Sequence, residues 1–259
     1  MKKVIWSLLL TSLAFAGSPA KNIHIGTTAG DFADMVKDSI KPQLEKKGYT
    51  VKLTEFTDYV RPNLALSEGS LDVNIFQHKQ YLENFSKEHK LNLKTIAQVP
   101  TAPLCLYPGK TATVTALKEG SKVAVPNDPT NLARALVILS DLGWVTLKKN
   151  IDPLRVSTAD IETNVKKISI VQLEAAQLPR ARQDVDYAII NGNYATSSGL
   201  KLTDALFQEK SYAYVNWVVV NAKDAEKEFS KDLVQAYESA EFKAYAKKKY
   251  AGYKFPQTW

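Results

Sequence analysis

The chain has 259 residues, 45% hydrophobic and 24% charged, an ordinary composition for one large or two medium globular domains. Its net charge of +7 becomes +5 (7 minus 2) once Lys2 and Lys3 are assigned to a leader, and the other lysines are spread among acids rather than clustered, which argues against a nucleic-acid partner. A single cysteine, Cys105, excludes an internal disulfide, and its apolar neighbours Leu104 and Leu106 suit a buried, inert thiol.

Taken in order, residues 1–16 read as a signal peptide. Lys2-Lys3 is the basic start, 4–14 is an apolar core, and Ala14-Phe15-Ala16 is a small-x-small cleavage site before Gly17. No later run has membrane-spanning length, so a soluble mature protein is expected. Strand 23–26 leads to a helix over 32–47, capped by Asp31, kinked at Pro42 and stopped by Gly48. Strand 51–56 follows, then a helix over 59–67 capped by Asp58, strand 71–76, a helix over 77–89 and strand 93–99. Strands alternating with helices predict βαβ units and a parallel sheet. Pro100, Pro103 and Pro108 then break the pattern, as expected where a chain crosses between lobes.

The second series opens on Lys122-Val-Ala-Val-Pro-Asn-Asp-Pro-Thr-Asn-Leu-Ala-Arg134, a short apolar strand, a turn and a helix start. Asp128 is a good N-cap and Pro129 suits the first helical position. Leu132, Leu136, Leu139 and Leu142 recur at helical spacing until Gly143. Free backbone N–H groups at such a helix start favour an anion. Thr130, Asn131 and Arg134 share its first turns, and the arginine offers a fork that fits a carboxylate. A capped surface helix with a solvated arginine is an equally simple reading of this segment alone. Helices near 158–166 and 174–182, strands at 168–173, 186–190 and 212–220, and one long helix from 225 to about 250, capped by Asp224, complete the chain.

Ligands of open α/β sheets bind beyond the carboxyl ends of strands. Here those positions collect Tyr59, Phe76, Gln77, His78, Tyr81, Asn131, Arg134, Asn191, Asn193 and Tyr194, while Asn216 interrupts an apolar strand. One arginine, several asparagines and a set of aromatics suit a zwitterion with an apolar tail. Phe76 and Tyr81 are also plain core candidates, and Asn191 and Asn193 flank Gly192 as turn residues would. An asparagine in an apolar strand must find hydrogen-bond partners, which makes Asn216 harder to set aside. Catalytic patterns are missing. The three histidines, His24, His78 and His89, lack metal-ligand spacing, and no nucleophile elbow, phosphate loop or dinucleotide fingerprint is present. No enzyme activity, cofactor or metal is expected.

Five motifs in order, Phe56-Thr-Asp-Tyr-Val-x-Pro-Asn63, Asn74-Ile-Phe-Gln-His-Lys-x-Tyr81, Val123-Ala-Val-Pro-Asn-Asp-Pro-Thr-Asn-Leu-x-Arg134-Ala-Leu136, Glu174-Ala-x-Gln-Leu-Pro-Arg180 and Tyr214-Val-Asn216, resemble the methionine-binding NlpA/MetQ family. The resemblance runs from about Ile23 to Trp259. It implies an α/β, two-lobed periplasmic-binding-protein fold of the type II kind, with a ligand cleft between the lobes. Lobe 1 would comprise 17–104 and 212–259, and lobe 2 would comprise 105–211. The implied role is capture of L-methionine and delivery to the permease of an ABC importer by a periplasmic monomer. The implied ligand-binding residues are Tyr59, Phe76, His78, Tyr81, Arg134, Asn191 and Asn216. The chain departs from the family twice. Gly17 stands where most members carry a lipid-anchored Cys, and Ala102-Pro103 stands where they carry Tyr-Pro, which implies a wider pocket. The alternatives are another small apolar amino acid or a methionine-containing dipeptide as ligand, an interaction protein that retains the fold, or an exported enzyme.

Overall fold

A computed structural model describes residues 21–259; the expected leader and its cleavage site lie outside the described residues. The first sheet has the order β2-β1-β3-β12-β4, from Lys21–Thr28 (β1), Tyr49–Phe56 (β2), Val73–His78 (β3), Leu93–Val99 (β4) and Asn216–Asn221 (β12). The second has the order β11-β5-β10-β6-β9, from Cys105–Pro108 (β5), Lys122–Pro126 (β6), Ser169–Leu173 (β9), Tyr187–Ile190 (β10) and Phe207–Gln208 (β11). Thr146–Leu147 (β7) and Ile161–Thr163 (β8) form a small antiparallel ribbon. Each main sheet has its own core. One gathers Ile25, Phe32, Val73, Val218 and Phe242, the other Leu106, Val123, Leu136, Leu139 and Ile189.

The helices are Asp31–Met35 (α1), Lys41–Lys46 (α2), Arg61–Ser67 (α3), Lys79–His89 (α4), Pro129–Asp141 (α5), Leu178–Ala181 (α6), Gly192–Ser197 (α7), Glu228–Glu238 (α8) and Ala240–Lys249 (α9). Between α1 and α2 the chain runs as a π-helix over Val36–Ile40, so the irregularity expected of Pro42 falls just before it. Asp31 is the first residue of α1 rather than its cap, a place held by Gly30. Asp58 accepts from the Val60 and Arg61 backbone N–H groups and starts α3 two residues later than expected. Gly143 follows α5 at φ 71°, the left-handed conformation that glycine adopts without a Cβ penalty.

The expectation of a parallel sheet needs correction. β1, β2 and β3 are parallel, but β12 lies antiparallel between β3 and β4. In the second sheet β5 runs antiparallel to β10 and β11. The strand expected at 212–220 begins only at Asn216, because the preceding residues belong to a crossing between lobes. The helix expected near 158–166 is a 3-10 turn, Thr158–Asp160, followed by β8. A Ser157–Asp160 capping box starts it, but β-branched Ile161, Thr163 and Val165 then prefer extended backbone. The long helix expected over 225–250 is broken at Ser239, whose extended backbone (ψ 147°) ends α8 and whose hydroxyl accepts from Phe242 N–H to start α9. Asp224 ends a 3-10 turn ahead of α8 and does not cap that helix.

The chain passes between the sheets at 100–104 and again at 209–215. A third segment joins these two. Thr101 pairs antiparallel with Lys254, with backbone N–H···O distances of 2.9 Å in both directions. Lys254 Nζ donates to the Ser211 carbonyl.

Candidate ligand-binding cleft

The site grows from the start of α5. Asp128 Oδ1 accepts from Asn131 N–H at 3.0 Å, and Asp128 Oδ2 accepts from Asn131 Nδ2 at 2.8 Å. The aspartate therefore caps the helix and orients the Asn131 amide with its oxygen toward the cleft. That oxygen receives Arg134 Nη1 at 2.7 Å, Asn191 Nδ2 at 3.1 Å and His78 Nε2 at 3.3 Å. Asn131 is thus a junction for three of the residues expected at the site. His78 Nδ1 accepts from Tyr81 N–H at the start of α4, so its proton sits on Nε2. Burial, and then the Arg134 charge, push the His78 pKa down to about 3 and keep the ring neutral.

Arg134 is 5% exposed. Its Nε donates to Glu209 Oε2 at 2.9 Å and its Nη2 to Glu209 Oε1 at 2.5 Å. The guanidinium also lies over the Tyr214 ring at 4.5 Å. Burial works against its charge, and Glu209 more than offsets this. A guanidinium has five N–H groups, of which these bonds and the one to Asn131 use three. Asn191 Oδ1 is buried and has no hydrogen-bond partner, an unusual state for such an atom.

An aromatic wall faces these groups. Tyr59 stacks on Phe76 at 5.7 Å and meets Tyr194 at 4.9 Å, and Tyr81 stands edge-on to Phe76 at 6.0 Å. Tyr59, Phe76, His78, Tyr81, Arg134, Asn191 and Asn216 all line one cavity, with about 380 Å³ of space between the lining atoms and part of it open to solvent. The same cavity is lined by Phe32, Thr101, Ala102, Asn131 and Asn193, which the expected ligand set lacks. Asn131 and Asn193 stand beyond strand ends, so position pointed to them. Phe32 read as a helix core residue, and Thr101 reaches the cavity only because the first crossing passes beneath it. Glu209, flanked by Gln208 and Lys210, carried no signal at all. Gly192 is required by close approach, since a Cβ there would sit 2.4 Å from the Ala102 Cβ and carbonyl oxygen.

The arrangement offers unused guanidinium N–H groups, a lone amide acceptor and an apolar wall, all without a net charge at His78. Among the described residues no group of three or more His, Cys, Asp or Glu could hold a metal ion, and no helix is long and apolar enough to cross a membrane.

Two open α/β sheets joined by crossings, with polar and aromatic groups converging between them, define a two-lobed binding protein. The family model for NlpA lipoprotein matches residues 23–258, and the chain belongs to that family. It is 39% identical over 253 residues to the D-methionine-binding lipoprotein MetQ of Salmonella typhi, covering 94% of this chain and 93% of that one. It is 37% identical over 250 residues to outer membrane lipoprotein 3 of Mannheimia haemolytica, covering 96% and 94%. The structure of a nutrient binding protein from Burkholderia cenocepacia bound to methionine superposes with a TM-score of 0.85 at 40% identity, over 90% of this chain and 100% of that one.

Proposed function

We propose that this protein captures methionine in the interlobe cleft and delivers it to the permease of an ABC importer, without catalysing a reaction. The observation that carries this reading is the convergence of unused Arg134 donors and the unpartnered Asn191 Oδ1 on one cavity. The first would hold an α-carboxylate and the second would accept from the α-ammonium. Tyr59, Phe76 and Tyr81 would cover the thioether, with His78 neutral beside them and Asn216 completing the polar side. Apolar and sulfur–aromatic contacts of about 0.3–1.5 kcal/mol each suit a thioether and give a charged tail no partner.

The relatives named for D-methionine and the family membership support this function and an exported, periplasmic protein. Processing before Gly17 without lipid, action as a monomer, and lobe limits near 104/105 and 211/212 belong to the same proposal. The lobe limits follow sheet membership.

The test is calorimetric titration of protein unfolded and refolded to strip bound ligand. Both enantiomers of methionine, a methionine-containing dipeptide, glutamate and lysine are the titrants. Methionine should bind, and glutamate and lysine should not. Equal binding of glutamate would refute the proposal, and tighter binding of the dipeptide would replace methionine as the ligand.

A further inference from the structure

Glu209 does not line the ligand cavity, yet it holds the Arg134 guanidinium by its Nε and Nη2 edge. Both side chains are buried, at 5% and 6% exposure, so water screens neither charge. Glu209 is itself fixed, because Oε1 also accepts from Leu104 N–H at 2.9 Å on the other crossing. A ligand carboxylate that docks on Arg134 therefore shares one cation with a carboxylate already in place. Two buried carboxylates around one guanidinium leave a net negative charge, which a low-dielectric site strongly disfavours. No cation lining the cavity other than Arg134 is available among the described residues. His78 is neutral, and Lys254, which feels the charges of both Glu209 and Arg134, lies outside the cavity with its ammonium directed at the Ser211 carbonyl. A ligand ammonium would place positive charge inside the cavity itself, where Asn191 Oδ1 is an unpartnered acceptor.

We propose that Glu209 is a specificity-determining residue that acts through Arg134: by neutralising the guanidinium, it restricts the cleft to zwitterions and rejects carboxylates that lack an amine. This rests on the reading of Arg134 as the carboxylate seat.

The test compares methionine with 4-(methylthio)butanoate, the same thioether acid without its amine, by calorimetry on ligand-stripped wild type, Glu209→Gln and Glu209→Asp. Wild type should prefer methionine by roughly 100-fold or more, and Glu209→Gln should shrink that ratio about tenfold. Glu209→Asp keeps the charge and should keep the ratio even where both affinities fall. A merely structural role would weaken both ligands alike and leave the ratio unchanged in Glu209→Gln, which overturns the inference. A second measurement needs no variant. Binding of the analogue to wild type, titrated in buffers of different ionisation enthalpy, should take up close to one proton, and binding of methionine close to none. Equal affinities of wild type for the two ligands also overturn the inference. A wild type that binds neither ligand overturns the reading of the cleft itself.

Discussion

The Tyr59 hydroxyl donates to Asn193 Oδ1 at 2.6 Å, joining the first lobe to the second across the mouth of the cleft. Asn193 Nδ2 in turn donates to Thr28 Oγ1 at 3.3 Å, and Thr196 Oγ1 donates to the Asp31 carboxylate at 2.9 Å. These bonds run between the lobes beside the cavity and hold its two sides together. They contribute nothing within either lobe alone.

Tyr59→Phe keeps the ring and its stacking but removes the donor, leaving a buried Asn193 oxygen without this partner. The expected cost is about 1–2 kcal/mol, a roughly 5- to 30-fold loss of methionine affinity. Titration calorimetry reads the loss, and thermal unfolding of the ligand-free variant should match wild type. An unaltered affinity would mean that this bond does not hold the cleft around its ligand.

Arg134→Ala should abolish methionine binding, but it also strands Glu209 as an uncompensated buried charge. Breaking a buried pair in this way costs about 3–5 kcal/mol of stability. The double variant Arg134→Ala with Glu209→Gln removes that charge, and the glutamine oxygen can still accept from Leu104 N–H. It should regain most of the stability in urea unfolding and none of the binding. Recovery of binding would displace Arg134 from the carboxylate seat.

His78 gives a pH dependence of definite sign. Its folded pKa of about 3 lies below the ordinary 6.5, so below pH 6.5 the unfolded chain binds the proton that the folded chain refuses. Stability is therefore full above about pH 6.5 and falls toward pH 3, by up to about 1.4 kcal/mol per pH unit. Asp31, whose pKa is raised chiefly by burial, acts oppositely, since its contribution is largest at low pH and is lost as pH rises. His78→Gln isolates the histidine. The wild-type minus variant difference in urea unfolding free energy should shrink between pH 7 and pH 4, and a constant difference would show that His78 takes up its proton as readily in the folded chain as in the unfolded one.

Cys105 is fully buried, its thiol donates to the Pro103 carbonyl at 3.4 Å, and burial pushes its pKa up to about 12. A maleimide at pH 7–8 should leave the native protein unlabelled over the time in which urea-unfolded protein reacts completely. Rapid native labelling would place the thiol within reach of solvent.

The cleft was more legible in the sequence than the sheet order. Strand-end position picked out six of the seven expected residues, because strands of open α/β sheets point their carboxyl ends at the ligand whatever their neighbours are; Asn216 stood out as a polar residue in an apolar strand, and the set of seven came with the family resemblance. The Asp128–Pro129 start of α5 was equally plain, being local chemistry. The place of β12 between β3 and β4 was not, since strand order depends on pairings more than a hundred residues apart. Two short strands, β5 and β11, carry too few residues for a period to show. The break at Ser239 could have been read, for Ser239-Ala-Glu241 is a cap followed by an acid in the first turn, but the apolar spacing on either side is continuous enough to hide it. Glu209 had no local mark, because its burial is set wholly by the meeting of two crossings.

The insertion of β12 also governs the order in which the chain is able to fold. β4 ends at residue 99 and β12 at residue 221, so the ribosome makes 122 residues (221 minus 99) between them. At about 5–20 residues per second that is roughly 6–24 s during which the first sheet has a gap one strand wide, with unpaired edges on β3 and β4. The second lobe, being continuous, has all its strands before the first lobe has its last. Until residue 221 is made, β3 and β4 have no strand to pair through, and the first sheet stays in two parts.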